Sequence, residues 1–190
     1  DLPRFHGGAI GYLSYDIVRY FEPRVPEPVQ DLLGLPESLF MFNDTMLVFD
    51  HLKHTIKVVS HVNLNSDLEE EYSRATQKIE KLVQRLSTPL GCPAEARSGE
   101  IPLNAGSVES NFTKQEYEAA VERAIEYVYA GDIIQVVPSQ RLSRKTVASP
   151  FQIYRALRSN NPAPYMYFLH LDDFYIVGAS IETLVRVEDG

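Results

Sequence analysis

"YMYFLHLDDFYIVGAS", residues 165–180, decides the class of fold. Two aromatic and aliphatic runs, 165–171 and 174–180, flank Asp172-Asp173, and this pattern predicts an antiparallel β-hairpin. Just upstream, "SPFQIYRALRSNNP" predicts a helix: Ser149 caps it, Pro150 takes the first helical position, and Asn160-Asn161-Pro162 ends it. Before that, Thr113 and Glu116 form a capping box, and Phe112 is placed to staple onto Tyr117. A helix from about Lys114 to Ala130 follows, with Gly131 as its stop.

The N-terminal part mixes the same elements in a different order. "FHGGAIGYLSYDIVRYFE", residues 5–22, opens on paired glycines and leads into a short helix after Ser14 or Asp16. Pro23, Pro26, Pro28 and Pro36 then forbid a continuous helix or central strand. "LFMFNDTMLVFD" and "TIKVVSHVN", joined by "HLKH" at 51–54, predict a hairpin of two strands. Ser66 and Glu69 read as a capping box for an amphipathic helix whose apolar face runs through Leu68, Tyr72, Ala75, Ile79, Leu82 and Leu86. Residues 87–110, rich in Pro, Gly, Ser and Ala, read as a surface linker. A last strand is expected over Leu184–Val187. Hairpins and helices without regular βαβ alternation give the α+β class. The expected organisation is 1–90, a linker at 91–111, and 112–190.

Composition bounds the function. At 190 residues the chain is long enough for a substantial core in one or two domains. A formal charge of -8 without a basic stripe excludes a general nucleic-acid surface. The longest apolar runs fall short of the roughly 20 residues a membrane-spanning helix needs, so a soluble chain is expected. Cys92 is the only cysteine, which rules out an internal disulfide or a cysteine-based zinc site and agrees with a cytoplasmic location. The chain starts at Asp1 without a Met and stops at Gly190 directly after "TLVRVEDG", and it reads as a piece of a longer one.

Three places carry candidate chemistry. In "GDIIQVVPSQR", residues 131–141, a strand is predicted in which Ile133, Gln135 and Val137 share one face and Ile134 and Val136 the other. Gln135 could be a solvent-facing amide, but because both faces are largely apolar it is expected to be half or fully buried, where it needs a partner such as a ligand. "NPAPYMY", residues 161–167, is either a plain helix stop and strand start or a rigid extended backbone suited to recognising a small molecule such as an amino acid. Glu182 is either an exposed strand-end carboxylate or an acid with a raised pKa beside a pocket, able to protonate a leaving hydroxyl. The five histidines show no metal-ligand spacing, and "GGAIG" lacks the strand and long helix of a dinucleotide fingerprint.

Taken together, "FHGGAIGYLSYDIVRYFE", "FTKQEYEAAVERAIEYVYAGDIIQVVPSQR", "NPAPYMYFL" and "VGASIETLVRVEDG" resemble the anthranilate synthase component I family of chorismate-utilising enzymes. The likeness spans nearly the whole chain, in the family's order. It implies part of an antiparallel β-sandwich with helices, in which 1–90 belongs to the N-terminal region and 112–190 begins the chorismate-binding region. It also implies chorismate as substrate, Mg²⁺ as cofactor with ligands beyond Gly190, and a glutamine amidotransferase subunit as partner and source of ammonia.

The resemblance assigns residues as well. Gln135 occupies the position that is lysine in relatives that activate water. An amide there suits ammonia, which has a free electron pair and needs only positioning. Glu182 matches the acid that protonates the departing hydroxyl, with Ile181 where the family's pattern reads Ser-Pro-Glu. Asn161, Pro162, Pro164, Tyr165 and Met166 match the segment that binds L-tryptophan as feedback inhibitor. The implied pathway is tryptophan biosynthesis. An isolated piece of this span is expected to be inactive. The alternatives are an aminodeoxychorismate-forming relative and a non-catalytic tryptophan-binding module.

Overall fold

A computed structural model describes residues 2–26, 31, 33–89 and 106–188. The order of elements is β1 (Gly8–Leu13), a 3-10 helix (Tyr15–Tyr20), β2 (Ser38–Asn43), β3 (Thr45–Asp50), β4 (Thr55–Ser60), α1 (Leu68–Ser87), β5 (Glu109–Ser110), α2 (Lys114–Ala130), β6 (Leu142–Ser143), α3 (Pro150–Asn160), β7 (Tyr165–Leu171) and β8 (Phe174–Ser180). Every strand pairs within a two-stranded sheet: β1 with β2, β3 with β4, β5 with β6, and β7 with β8. The α+β expectation holds. Most of the predicted linker, including Cys92, lies outside the described residues, as does Pro28 in the proline-spaced loop.

The chain divides into two compact units. The first comprises Asp1–Pro93 together with Leu169–Phe174, and the second Ala94–Phe168 together with Tyr175–Gly190. In the first unit the glycine-rich opening is a strand: β1 runs antiparallel to β2 with Gly11 opposite Phe40. A side chain at Gly11 would place its Cβ inside the Leu39 carbonyl, so glycine is required by the closeness of the two backbones. The long apolar run 39–50, expected as one strand, is two. Asp44 breaks it, so that β2 pairs back to β1 while β3 pairs forward to β4, with Leu47 opposite Val58.

Asp44 is also where the two hairpins meet α1. Its backbone carbonyl accepts the His61 N–H at 2.7 Å, and its carboxylate accepts Lys78 Nζ at 2.6 Å and Thr45 Oγ1 at 2.8 Å. The α1 cap differs by one residue from expectation. Asp67, rather than Ser66, accepts the Glu69 and Glu70 N–H groups at 3.0 and 3.1 Å, placing a full negative charge on the first-turn donors. Of the predicted apolar face, Ala75 is buried and Ile79 and Leu82 are half-buried, while Leu68, Tyr72 and Leu86 are exposed. Leu171, at the end of β7, is the other fully buried side chain among the described residues. The core is therefore thinner than the chain length alone predicts, and many large apolar side chains face outward.

In the second unit the helix expectations hold at both ends. Thr113 and Glu116 close a reciprocal capping box, and Phe112 meets Tyr117 edge-on with ring centroids 6.3 Å apart. The Thr113 N–H and hydroxyl hold the Glu116 carboxyl below its ordinary range. At the other end Gly131 is left-handed (φ 80°). Its N–H reaches the Val128 carbonyl while that of Asp132 reaches Tyr127, which is a Schellman closure. Ser149 and Gln152 box α3 in the same way. That helix lies against the hairpin through Phe151, Tyr154, Phe168 and Tyr175, whose neighbouring ring centroids are 5.5 to 6.1 Å apart.

Two outcomes follow. Gly131→Ala forces a Cβ into the left-handed region with open space around it, so chemical denaturation should show a loss of about 1 kcal/mol from backbone strain alone. The Asp44 carboxyl is held below its usual range chiefly by the hydrogen bond from Lys78, then by that from Thr45. Its contribution is present above the unfolded carboxyl's pKa and lost as pH falls through the lower folded value. Lys78→Met should therefore cost a few tenths of a kcal/mol at neutral pH, as expected of an exposed pair, and the difference should close in urea titrations below about pH 4.

Candidate functional site

All the candidate residues fall in the second unit. The segment carrying Gln135 leaves α2 through the Gly131 closure and returns to order at Arg141, whose N–H donates to Asn111 Oδ1 at 2.7 Å while its carbonyl accepts the Asn111 N–H at 3.2 Å. Between these anchors it is held once more, where the Tyr117 hydroxyl reaches the Pro138 carbonyl at 3.5 Å. No strand forms over 133–137, contrary to expectation. Gln135 is exposed rather than half-buried, beside an Ile134 that is 99% accessible. The reason is physical: an apolar run makes a strand only where another strand takes its hydrogen bonds, and none among the described residues pairs with it.

Glu182 follows the end of β8. Ser180 Oγ donates to the Glu182 carbonyl at 3.0 Å and accepts the Glu182 N–H at 3.5 Å, so the chain turns immediately after the strand. Glu182 is exposed, as is Ile181 before it. The strand expected over Leu184–Val187 does not form. Leu184 is fully accessible, and again no partner strand is paired there among the described residues.

The 161–166 segment joins α3 to β7. The Asn161 N–H closes the helix onto the Leu157 carbonyl at 2.8 Å, and Pro162 and Pro164 carry the chain to Tyr165, the first residue of β7. Met166 is half-buried on the face of β7 that also carries Phe168, while Tyr165 projects to the opposite, more exposed face. The segment thus spans a fixed helix end and a fixed strand start.

Gln135, Glu182 and Asn161–Met166 share one unit, but no hydrogen bond or ion pair joins Gln135 to Glu182 among the described residues. Nor do three or more His, Cys, Asp or Glu side chains come together there as a metal centre. No helix among the described residues is long and apolar enough to cross a membrane.

Comparison with known proteins places this arrangement in a family. Residues 2–190 match the model described as chorismate binding enzyme. The chain belongs to the chorismate-binding enzymes. It is 44% identical over 191 residues to the probable anthranilate synthase component 1 of Schizosaccharomyces pombe, and 45% identical over 194 residues to anthranilate synthase component 1 of Pseudomonas aeruginosa. Each alignment covers 100% of this chain and 38% of the relative. Among solved structures, anthranilate synthase component I from Streptococcus pneumoniae matches with a TM-score of 0.77 at 31% identity, over 100% of this chain and 42% of that one. The chain spans about two fifths of the length of these relatives.

Ser180 and the Tyr167–Gly178 pair were not singled out from the sequence. A Cβ at Gly178 would lie 2.1 Å from the Tyr167 ring, so the tyrosine crosses β8 directly over the glycine. Tyrosine facing glycine on adjacent strands is the available signal, and it becomes readable once the turn sets the register. Gly178→Ala should therefore destabilise by more than Gly131→Ala, by about 1–3 kcal/mol as overpacking does, and Tyr167→Ala in the same chain should recover part of the loss in thermal unfolding.

Proposed function

We propose that this chain forms part of an anthranilate synthase component I. In this reading a chain of its relatives' length converts chorismate and ammonia to anthranilate, pyruvate and water, in tryptophan biosynthesis in the cytoplasm. The observation that supports it most is the likeness, over the whole of this chain and at 44–45% identity, to relatives carrying that name. In this reading ammonia adds to the ring and the 4-hydroxyl departs as water with a proton from Glu182. Loss of pyruvate then restores aromaticity.

Gln135 orients the ammonia. Its side-chain carbonyl accepts an N–H and its amide donates, without the basicity that would generate hydroxide from water. The exposure of both side chains suits groups that are completed by other parts of a longer chain. Asn161, Pro162, Pro164, Tyr165 and Met166 supply the backbone and ring that recognise L-tryptophan as inhibitor. Their placement between a capped helix and a strand keeps the entropic cost of binding low. The described residues gather no cluster of carboxylates that would hold Mg²⁺, so in this reading its ligands come from outside them. Ammonia comes from a glutamine amidotransferase partner.

Product analysis tests the reading. A chain of the relatives' length carrying these 190 residues, given chorismate, Mg²⁺ and ammonium, should release anthranilate. Gln135→Lys should lower that rate by about tenfold or more, the worth of one positioned hydrogen bond. Glu182→Gln should lower it by about 10²–10⁴-fold through loss of the proton donor. Release of isochorismate or salicylate by the unsubstituted chain would refute the role of Gln135, and release of aminodeoxychorismate would refute the final elimination.

A further inference from the structure

We propose that Ser180 is a positioning residue for Glu182, its hydroxyl fixing by hydrogen bonds the turn that aims the carboxyl group. The proposal rests on the reading of Glu182 as the acid.

The geometry is local and specific. Ser180 ends β8 and is half-buried, while the two residues after it are exposed. One oxygen, Ser180 Oγ, serves both backbone polar groups of Glu182. It donates to the carbonyl at 3.0 Å and accepts the N–H at 3.5 Å. A hydroxyl has one proton and two lone pairs, so both bonds can exist together. With its N–H and C=O tied to the same atom, Glu182 loses freedom in φ and ψ, and the direction of its Cα–Cβ bond is set.

Nothing else among the described residues sets it. The Glu182 carboxylate takes part in no ion pair or side-chain hydrogen bond there, and Ile181 is 80% accessible, so neither side chain anchors the turn by packing. The strand behind the turn is fixed. Tyr167 lies over Gly178, which shares a face of β8 with Ser180, so the hydroxyl projects from a clamped base.

Position 181 gives this clamp its importance. A proline there would hold φ near −65° and bias residue 180 to extended backbone, stiffening the path to Glu182 covalently. Ile181 supplies neither restraint, leaving the Ser180 hydroxyl to limit the turn. A proton donor must come within about 2.6–3.2 Å of the leaving oxygen, and a misplacement of about 1 Å costs on the order of 10²-fold in rate.

The test measures kcat and KM for anthranilate formation by a chain of the relatives' length with Glu182→Gln, Ser180→Ala, Ser180→Thr, Ser180→Cys, Ile181→Pro and the Ser180→Ala/Ile181→Pro pair. Ser180→Ala is expected to lower kcat about tenfold or more with KM within about twofold. Ser180→Thr, which keeps the hydroxyl, should retain most activity. Removing the hydroxyl should cost several-fold less when residue 181 is proline. Ser180→Cys keeps the volume while weakening both bonds, and should fall in between even if the alanine variant folds poorly. An inactive Glu182→Gln beside cysteine and alanine variants with unchanged kcat would overturn this proposal and leave the acid reading standing. A Glu182→Gln variant with unchanged kcat would overturn both. Equal losses for Ser180→Ala with isoleucine or proline at 181, or no recovery with threonine, would also overturn it.

Discussion

The two-residue turn at Asp172-Asp173 is the constraint on which the second half of the structure depends. Asp172 takes a left-handed conformation (φ 52°), which short polar side chains tolerate better than most. That turn fixes the register of β7 against β8, and register determines every facing pair beyond it. It brings Tyr167 over Gly178 and lets Phe168 and Tyr175 present rings to α3. A slip of one residue would turn these rings to the other face, uncoupling the helix and, with it, the Asn161–Met166 loop that the helix and hairpin hold at its two ends.

The elements legible in the sequence are those whose determinants are local. Thr113 with Glu116, Ser149 with Gln152, and Gly131 each satisfy helix-end groups within a few residues, so α2 and α3 were predicted with their observed ends. The hairpin of β7 and β8 was equally legible because its turn lies between its partners. What failed was pairing over distance. The run 39–50 gave no sign that Asp44 would divide it between two sheets, because β1, the partner of β2, lies about thirty residues upstream beyond a 3-10 helix and a proline-spaced loop. The β-branched, apolar character of 133–137 and 184–187 is real, but composition reports which residues suit a strand and is silent on whether a neighbour is present.

The candidate site divides in the same way. Residue types, order and spacing pointed to the chorismate-binding family, and the match over residues 2–190 agrees. The setting of those residues was less legible. Burial of Gln135 was inferred from its neighbours' hydrophobicity, yet burial belongs to packed layers, and Ile134 and Gln135 have none over them among the described residues. Ser180 is not legible in the sequence, because a lone serine carries no signal apart from the two Glu182 backbone groups that its oxygen meets.

The tip of the β7–β8 hairpin, Leu169–Phe174, groups with the first unit, although the rest of that unit ends at Pro93. Phe174 meets Tyr12 edge-on at 6.1 Å between centroids, and Leu171, the most deeply buried side chain among that unit's described residues, comes from the same tip. During synthesis on the ribosome, the N-terminal unit must therefore wait for the 75 residues between Pro93 and Leu169 to emerge before its last piece arrives. Closing so long a loop costs only logarithmically more entropy than a short one, so the final stability loses little while the order of folding events changes. The N-terminal unit is consequently completed from behind, by the tip of a hairpin whose base belongs to its neighbour.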